Sequence, residues 1–178
     1  NIDEYYPGKA LNIGIHNSKA EYIVCLSAHC IPTNENWLKE LIKNLESNQN
    51  FAGVYGRQEP MIFSTESDKR DLMLIFGLDE KIQKIDSFFH NANSIIKRSL
   101  WIKEKFDENV NSIEDRVWAQ KMLNYGFNIA YTPFASVYHY HGVHQGGNEK
   151  RLKNIAKVIS EKELKYYNTG KFDAKKMK

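Results

Sequence analysis

The chain has 178 residues, 42% hydrophobic and 26% charged, which excludes a disordered chain or a disulfide-stapled miniprotein and fits one globular domain plus a tail. No apolar run approaches the about 20 residues of a membrane span, and no cleavable signal is present. The net charge of +3 is uneven: residues 149–178 hold ten Lys/Arg against four Asp/Glu, and residues 1–148 hold fifteen against eighteen. A basic tail behind a near-neutral domain suits either a solvated helix face or contact with an anionic surface.

Pro7-Gly8-Lys9, followed by Ala10, Leu11, Gly14 and Ile15, predicts a proline-opened helix ending near Asn17-Ser18. Ile23 to Leu26 then read as a strand covered on both faces, because the run is continuously apolar. It breaks into Ser27-Ala28-His29-Cys30 before Pro32. A polar corner at the carboxyl end of a strand in an α/β sheet is where ligands bind, which makes His29 the first candidate for chemistry. Cys25 and Cys30 have no metal-type pair spacing and read as buried, reduced thiols in a cytoplasmic protein.

Thr33 or Asn34 is placed to cap a helix carrying Trp37, Leu38, Leu41, Ile42 and Leu45 at helical spacing. Phe51 to Gln58 reads as the next strand. Residues 64–86 lack strand character, and the cluster Leu72 to Phe76 suits a helix, either in the core, over the site or facing a partner. Phe88 to Ile96 reads as a strand with His90, Asn91, Asn93 and Ser94 at its centre, groups that either line a polar pocket or satisfy one another. A short helix from Lys97 to Lys103 and a turn at Phe106 to Asn109 follow.

Ser112-Ile113-Glu114-Asp115-Arg116 opens a helix that ends at Gly126, with two adjacent carboxylates at its positive end. A strand from Phe127 to Tyr131 is closed by Pro133. Ala135 to His141 alternates, so His139 and His141 share a face, with His144 in the glycine-rich loop beyond. Glu149 to Leu164 is helical by pattern, with Leu152, Ile155, Ala156 and Ile159 on one side and lysines opposite. The chain is expected to be frayed from Tyr166. The domain division is therefore 1–148 for the catalytic-type domain and 149–178 for the basic helix and tail. No nucleic-acid module is present.

Four stretches together resemble the family-2 glycosyltransferases: residues 7–15, residues 22–29, Phe106-Asp107-Glu108 followed by Glu114-Asp115, and residues 126–139. The resemblance implies an α/β, GT-A-like (Rossmann-like) mixed sheet flanked by helices and apparently lacking its N-terminal strand-helix units. It also implies an inverting transferase that moves a sugar from a nucleotide-sugar donor to a glycan or lipid-linked acceptor in surface polysaccharide biosynthesis. The family's Asp-x-Asp is replaced here by Ser27-Ala28-His29. By resemblance, Asp115, with Glu114 beside it, is the catalytic base, His29 and His139 hold a divalent metal (Mn²⁺ or Mg²⁺), and Lys9, Asn12, Ser27, Asn91 and Asn93 contact the nucleotide-sugar or its acceptor. An imidazole serves Mn²⁺ or a softer ion better than Mg²⁺.

Further expectations are a homodimer covering an exposed sheet edge, peripheral contact with the inner membrane face, and weak nucleotide-sugar affinity in this chain alone, since only six residues precede Pro7. The competing readings are a catalytically silent sugar- or nucleotide-binding module and a metal hydrolase built on His139, His141 and His144.

Overall fold

The computed structural model describes residues 5–143 and 148–165. Six strands form one mixed sheet: β1 (Tyr22–Leu26), β2 (Cys30–Pro32), β3 (Phe51–Pro60), β4 (Lys81–Gln83), β5 (Asn93–Lys97) and β6 (Asn128–His139). The order is β1-β5-β3-β6-β2, with β4 also paired to β6. β3 and β6 are parallel, whereas every other pairing is antiparallel. β1, β3 and β6 consequently run the same way, and their carboxyl ends meet at one rim of the sheet.

Six helices surround it: α1 (Pro7–His16), α2 (Trp37–Glu46), α3 (Glu66–Ile75), α4 (Arg98–Lys103), α5 (Glu114–Asn124) and α6 (Glu149–Glu161). Leu41 and Leu45 of α2 cover one sheet face through Val54, Ile95 and Ala130. The other face takes Ile15, Leu72, Leu100, Trp101, Trp118 and Met122 from α1, α3, α4 and α5. Burial of such side chains, each contributing about 1.5–3 kcal/mol, holds the layers together.

Five expectations change. β1 is an edge strand whose residues alternate: Ile23 and Cys25 are buried, but Val24 and Leu26 are exposed because α2 does not reach over them. Residues 88–92 are loop and turn, so β5 starts only at Asn93. The α2 cap is Asn36 rather than Thr33 or Asn34, and Asn34 instead accepts a hydrogen bond from the Asn36 amide. The short strand β4 has no signal in the sequence beyond Ile82 among charges, and it forms by adding to the edge of β6.

Pro133 does not end a strand, because β6 runs through it. The β3–β6 register shifts between Gly56 and Gln58, where the facing residues jump from Thr132 to Val137, and Pro133 lies inside that bulge where no ladder N–H is required. The bulge presses on β3: a Cβ on Gly56 would meet Ala135 O at 2.0 Å. The carbonyls freed there are taken by Asn93, whose Nδ2 donates to Ala135 O at 2.7 Å and Arg57 O at 3.0 Å, while its Oδ1 accepts from Trp37 Nε1.

Candidate active site

The rim where β1, β6 and the start of β5 converge opens into a cavity of about 820 Å³. Its lining brings together Ser27, His29, His90, Asn91, Glu114, Asp115 and His139 from stretches far apart in sequence. Six of the nine residues assigned from sequence line it: Ser27, His29, Asn91, Glu114, Asp115 and His139.

Ser27 and His29 occupy the turn after β1, pinned by Ser27 N donating to Ala92 O and Cys30 N donating to Ser27 O. Cys30 lies opposite His139 in the β2–β6 ladder. This places His29 Nε2 3.0 Å from His139 Nε2. The ligand atoms of His29, Cys30 and His139 all lie within 4.8 Å of one another. His141 closes a triangle of rings, its centroid 4.7 Å from His29 and 4.6 Å from His139. Its Nδ1 lies 3.0 Å from Gly142 O, which can only accept, so Nδ1 carries a proton.

Burial lowers the pKa of His29, and the neighbouring His141 adds to the effect. Burial likewise holds His139 down to about 3, with the surrounding imidazoles contributing. The rings are thus neutral at physiological pH, the state that ligates metals. Two nitrogens about 2.1 Å from one ion at 90–109° stand about 3.0–3.4 Å apart, so the observed spacing fits a shared divalent ion. His139 Nδ1 is buried with no hydrogen-bond partner among the described residues. With Ser27 and Ala28 in place of carboxylates, the donor set suits Mn²⁺ or a softer ion better than Mg²⁺.

The acid side is built by the start of α5. Ile113, the residue before the helix, has φ 57° and ψ 30°, a left-handed conformation that is costly for a β-branched residue and directs the first turn into the cavity. Asp115 Oδ2 accepts from Asn91 N at 3.0 Å, and Oδ1 from Arg116 N at 2.8 Å. Glu114 Oε1 accepts from Asn91 Nδ2 at 3.3 Å. Burial raises both carboxyls, and the adjacent Asp115 raises Glu114 further, to about 8. The pair therefore shares a proton near neutral pH. His90-Asn91 joins the two sides: the His90 ring centroid is 6.2 Å from that of His139, and the next residue binds Asp115.

The remaining sequence candidates stand elsewhere. Asn12 is buried as a structural pin, its Nδ2 donating to Phe106 O and Glu108 Oε1 and its Oδ1 accepting from Trp101 Nε1 and Phe106 N. Asn93 is consumed by the β6 bulge. Neither lines the cavity, and neither does Lys9, which is exposed on α1. His144 lies outside the described residues. Sequence reasoning missed Arg151, which lines the cavity from α6. Its signal was a cation one turn before Ile155, on the face that packs through Ile155, Val158 and Ile159 against Val110, Ile113 and Val117.

A mixed sheet with helices on both faces and a polar site at the carboxyl rim is the GT-A architecture, and the solved structures that this fold matches are of that kind. GalNAc-T7 crystallised with UDP, GalNAc and Mn²⁺ superposes with a TM-score of 0.63 at 15% identity, over 90% of this chain and 35% of that one. The mannosyltransferase PcManGT from Pyrobaculum calidifontis, in complex with GDP-Man and Mn²⁺, gives 0.63 at 16%, over 90% and 45%. S. aureus TarS 1-349 gives 0.58 at 13%, over 96% and 48%. The chain thus spans less than half the length of each. The family described as glycosyl transferase family 2 matches residues 3–103, more than half of the sequence, and the chain belongs to that family. A search of curated proteins found no match.

Proposed function

We propose that the chain carries the reacting centre of an inverting glycosyltransferase, moving a sugar from a nucleotide-sugar donor to a hydroxyl of a glycan or lipid-linked acceptor. The observation that carries this reading is the single cavity shared by a neutral imidazole cluster and a buried carboxylate pair. Displacement at an anomeric carbon requires a base for the attacking hydroxyl and a positive centre for the leaving diphosphate, and these two groups supply them.

In this reading Asp115, fixed by the amides of Asn91 and Arg116, accepts the acceptor's hydroxyl proton. The acceptor oxygen forms its bond to the anomeric carbon as the bond to the phosphate oxygen breaks, and the electron pair departs with the nucleoside diphosphate. One proton shared by the pair leaves one carboxylate as the available base, and Asp115 is the member held in place by two backbone amides. His29 and His139 would hold a divalent ion, Mn²⁺ in preference to Mg²⁺. When bound, such an ion neutralises charge on the diphosphate.

Mn²⁺ with UDP in the GalNAc-T7 structure and with GDP-Man in the PcManGT structure supports this assignment by analogy of fold. A place in surface polysaccharide synthesis on the cytoplasmic face accords with the two reduced cysteines and with the exposed Lys150, Lys153 and Lys157 on α6, which suit weak contact with anionic lipid. Among the described residues no helix is long and apolar enough to cross a membrane.

The test is turnover by the full chain of UDP-, GDP- and dTDP-sugars with Mn²⁺, read as release of nucleoside diphosphate. One sugar nucleotide should be consumed faster than the rest, with the product of opposite anomeric configuration. Absence of turnover with tight nucleotide binding would favour the silent binding module.

A further inference from the structure

Two guanidinium groups reach the acid side of the cavity and have no part in the chemistry above. Arg116 follows Asp115, its Cζ 4.5 Å from the centre of the Phe88 ring. Arg151, in the first turn of α6, has Nη1 3.4 Å from Ser112 Oγ, two residues before Glu114. Its Nε is buried and has no hydrogen-bond partner among the described residues. Both side chains line the cavity.

Both cations act on Asp115 through space, and Arg151 on Glu114, but neither makes an ion pair with either carboxylate. Among the described residues neither stands within 4.0 Å of an acidic oxygen, although eight lysine or arginine side chains elsewhere do. Asp115 is already satisfied by two backbone amides. Arg151 is aimed by packing, because the same face of α6 sets Ile155, Val158 and Ile159 against Val110, Ile113 and Val117. Holding a cation on an apolar helix face costs desolvation, and two forked donors without a carboxylate partner suit an oxyanion that enters from solvent.

With the donor's diphosphate at the imidazole side, an anion at the acid side belongs to the molecule that presents its hydroxyl to Asp115. We propose that Arg116 and Arg151 form an oxyanion site for an acidic acceptor, a sugar or polyol bearing a carboxylate or a phosphate. The inference rests on the glycosyltransfer reading, which assigns the two sides. An acidic ligand beside Glu114 and Asp115 needs this countercharge, since whichever carboxylate is ionised repels it.

The experiment is ligand-observed NMR titration of the full chain with methyl β-glucuronide, glycerol 3-phosphate and neutral methyl β-glucoside. At least one acidic probe should bind, and the glucoside should not. Arg151→Gln and Arg116→Gln should each weaken the acidic probe about tenfold, the effect of losing one charge-assisted contact, with Arg151→Lys recovering part of it. Binding of UDP with Mn²⁺ should be unchanged in all three variants. Preference for the glucuronide identifies a carboxylate, and preference for glycerol 3-phosphate a phosphate. Equal binding of the neutral probe, unaltered affinity in both glutamine variants, or a loss that falls on UDP instead would overturn the proposal. If UDP fails to bind with any metal while the acidic probes still respond to the two arginines, the glycosyltransfer reading falls and the anion site stands.

Discussion

Asp115 and Glu114 are neighbours in sequence to which the proposed mechanism gives different roles, and their surroundings differ. Asp115 receives the amides of Asn91 and Arg116, whereas Glu114 receives its own backbone amide, one long side-chain amide and the field of Asp115. Asp115→Asn keeps the shape but cannot take a proton, so transfer should fall by about 10² to 10⁴-fold with nucleotide affinity unchanged. Steady-state rates beside calorimetric titration check this.

Glu114→Gln should act on stability. The folded pKa of Glu114 lies above its unfolded value, so the native state binds more protons and loses stability as pH rises from the ordinary glutamate range through about 8. The amide removes that loss. The melting temperature of Glu114→Gln should gain on the parent as pH rises from 5 to 8.5, and a constant difference would refute the shared-proton picture.

The bulge in β6 shows where sequence patterns reach their limit at the scale of an element. The helices were legible from Pro7, the spacing of Trp37 to Leu45, the acidic start of α5 and Gly126, since each depends on local chemistry. β3 was legible from its β-formers. The strand through Pro133 was not, because the bulge is a property of two strands: Gly56 on β3 gives the room, and Asn93 on β5 takes the stranded carbonyls. For the same reason Asn93 looked like a ligand residue. Asn12 did too, although it fastens α1 to the 101–108 segment. A polar residue in an apolar frame signals a demand for hydrogen bonds without saying whether the fold or a ligand makes it.

Asn93→Ala should leave Ala135 O and Arg57 O unpaired and cost about 2–4 kcal/mol, measured by urea unfolding. Gly56→Ala, whose Cβ meets backbone at 2.0 Å, should prevent the bulge from closing and lower the melting temperature at least as far.

For the whole molecule, the carboxyl rim is what gathers the site. β1 delivers His29, β6 delivers His139, the turn before β5 delivers His90 and Asn91, and α5 delivers the acids. The imidazole and acid members were visible in the sequence as separate polar knots, but their convergence depends on topology, and Arg151 depends on the docking of α6. The central claim is that the paired imidazoles take the place of the acidic motif as the metal centre for a nucleotide's diphosphate. Its most direct test is calorimetric titration of the full chain with Mn²⁺ in the presence and absence of UDP or GDP, repeated on His29→Ala and His139→Ala. The account predicts Mn²⁺ binding that tightens with one of the nucleotides, exceeds that of Mg²⁺ and weakens by about tenfold or more in each variant, as loss of one ligand should produce. Mn²⁺ affinity equal to the parent's in both alanine variants would contradict it.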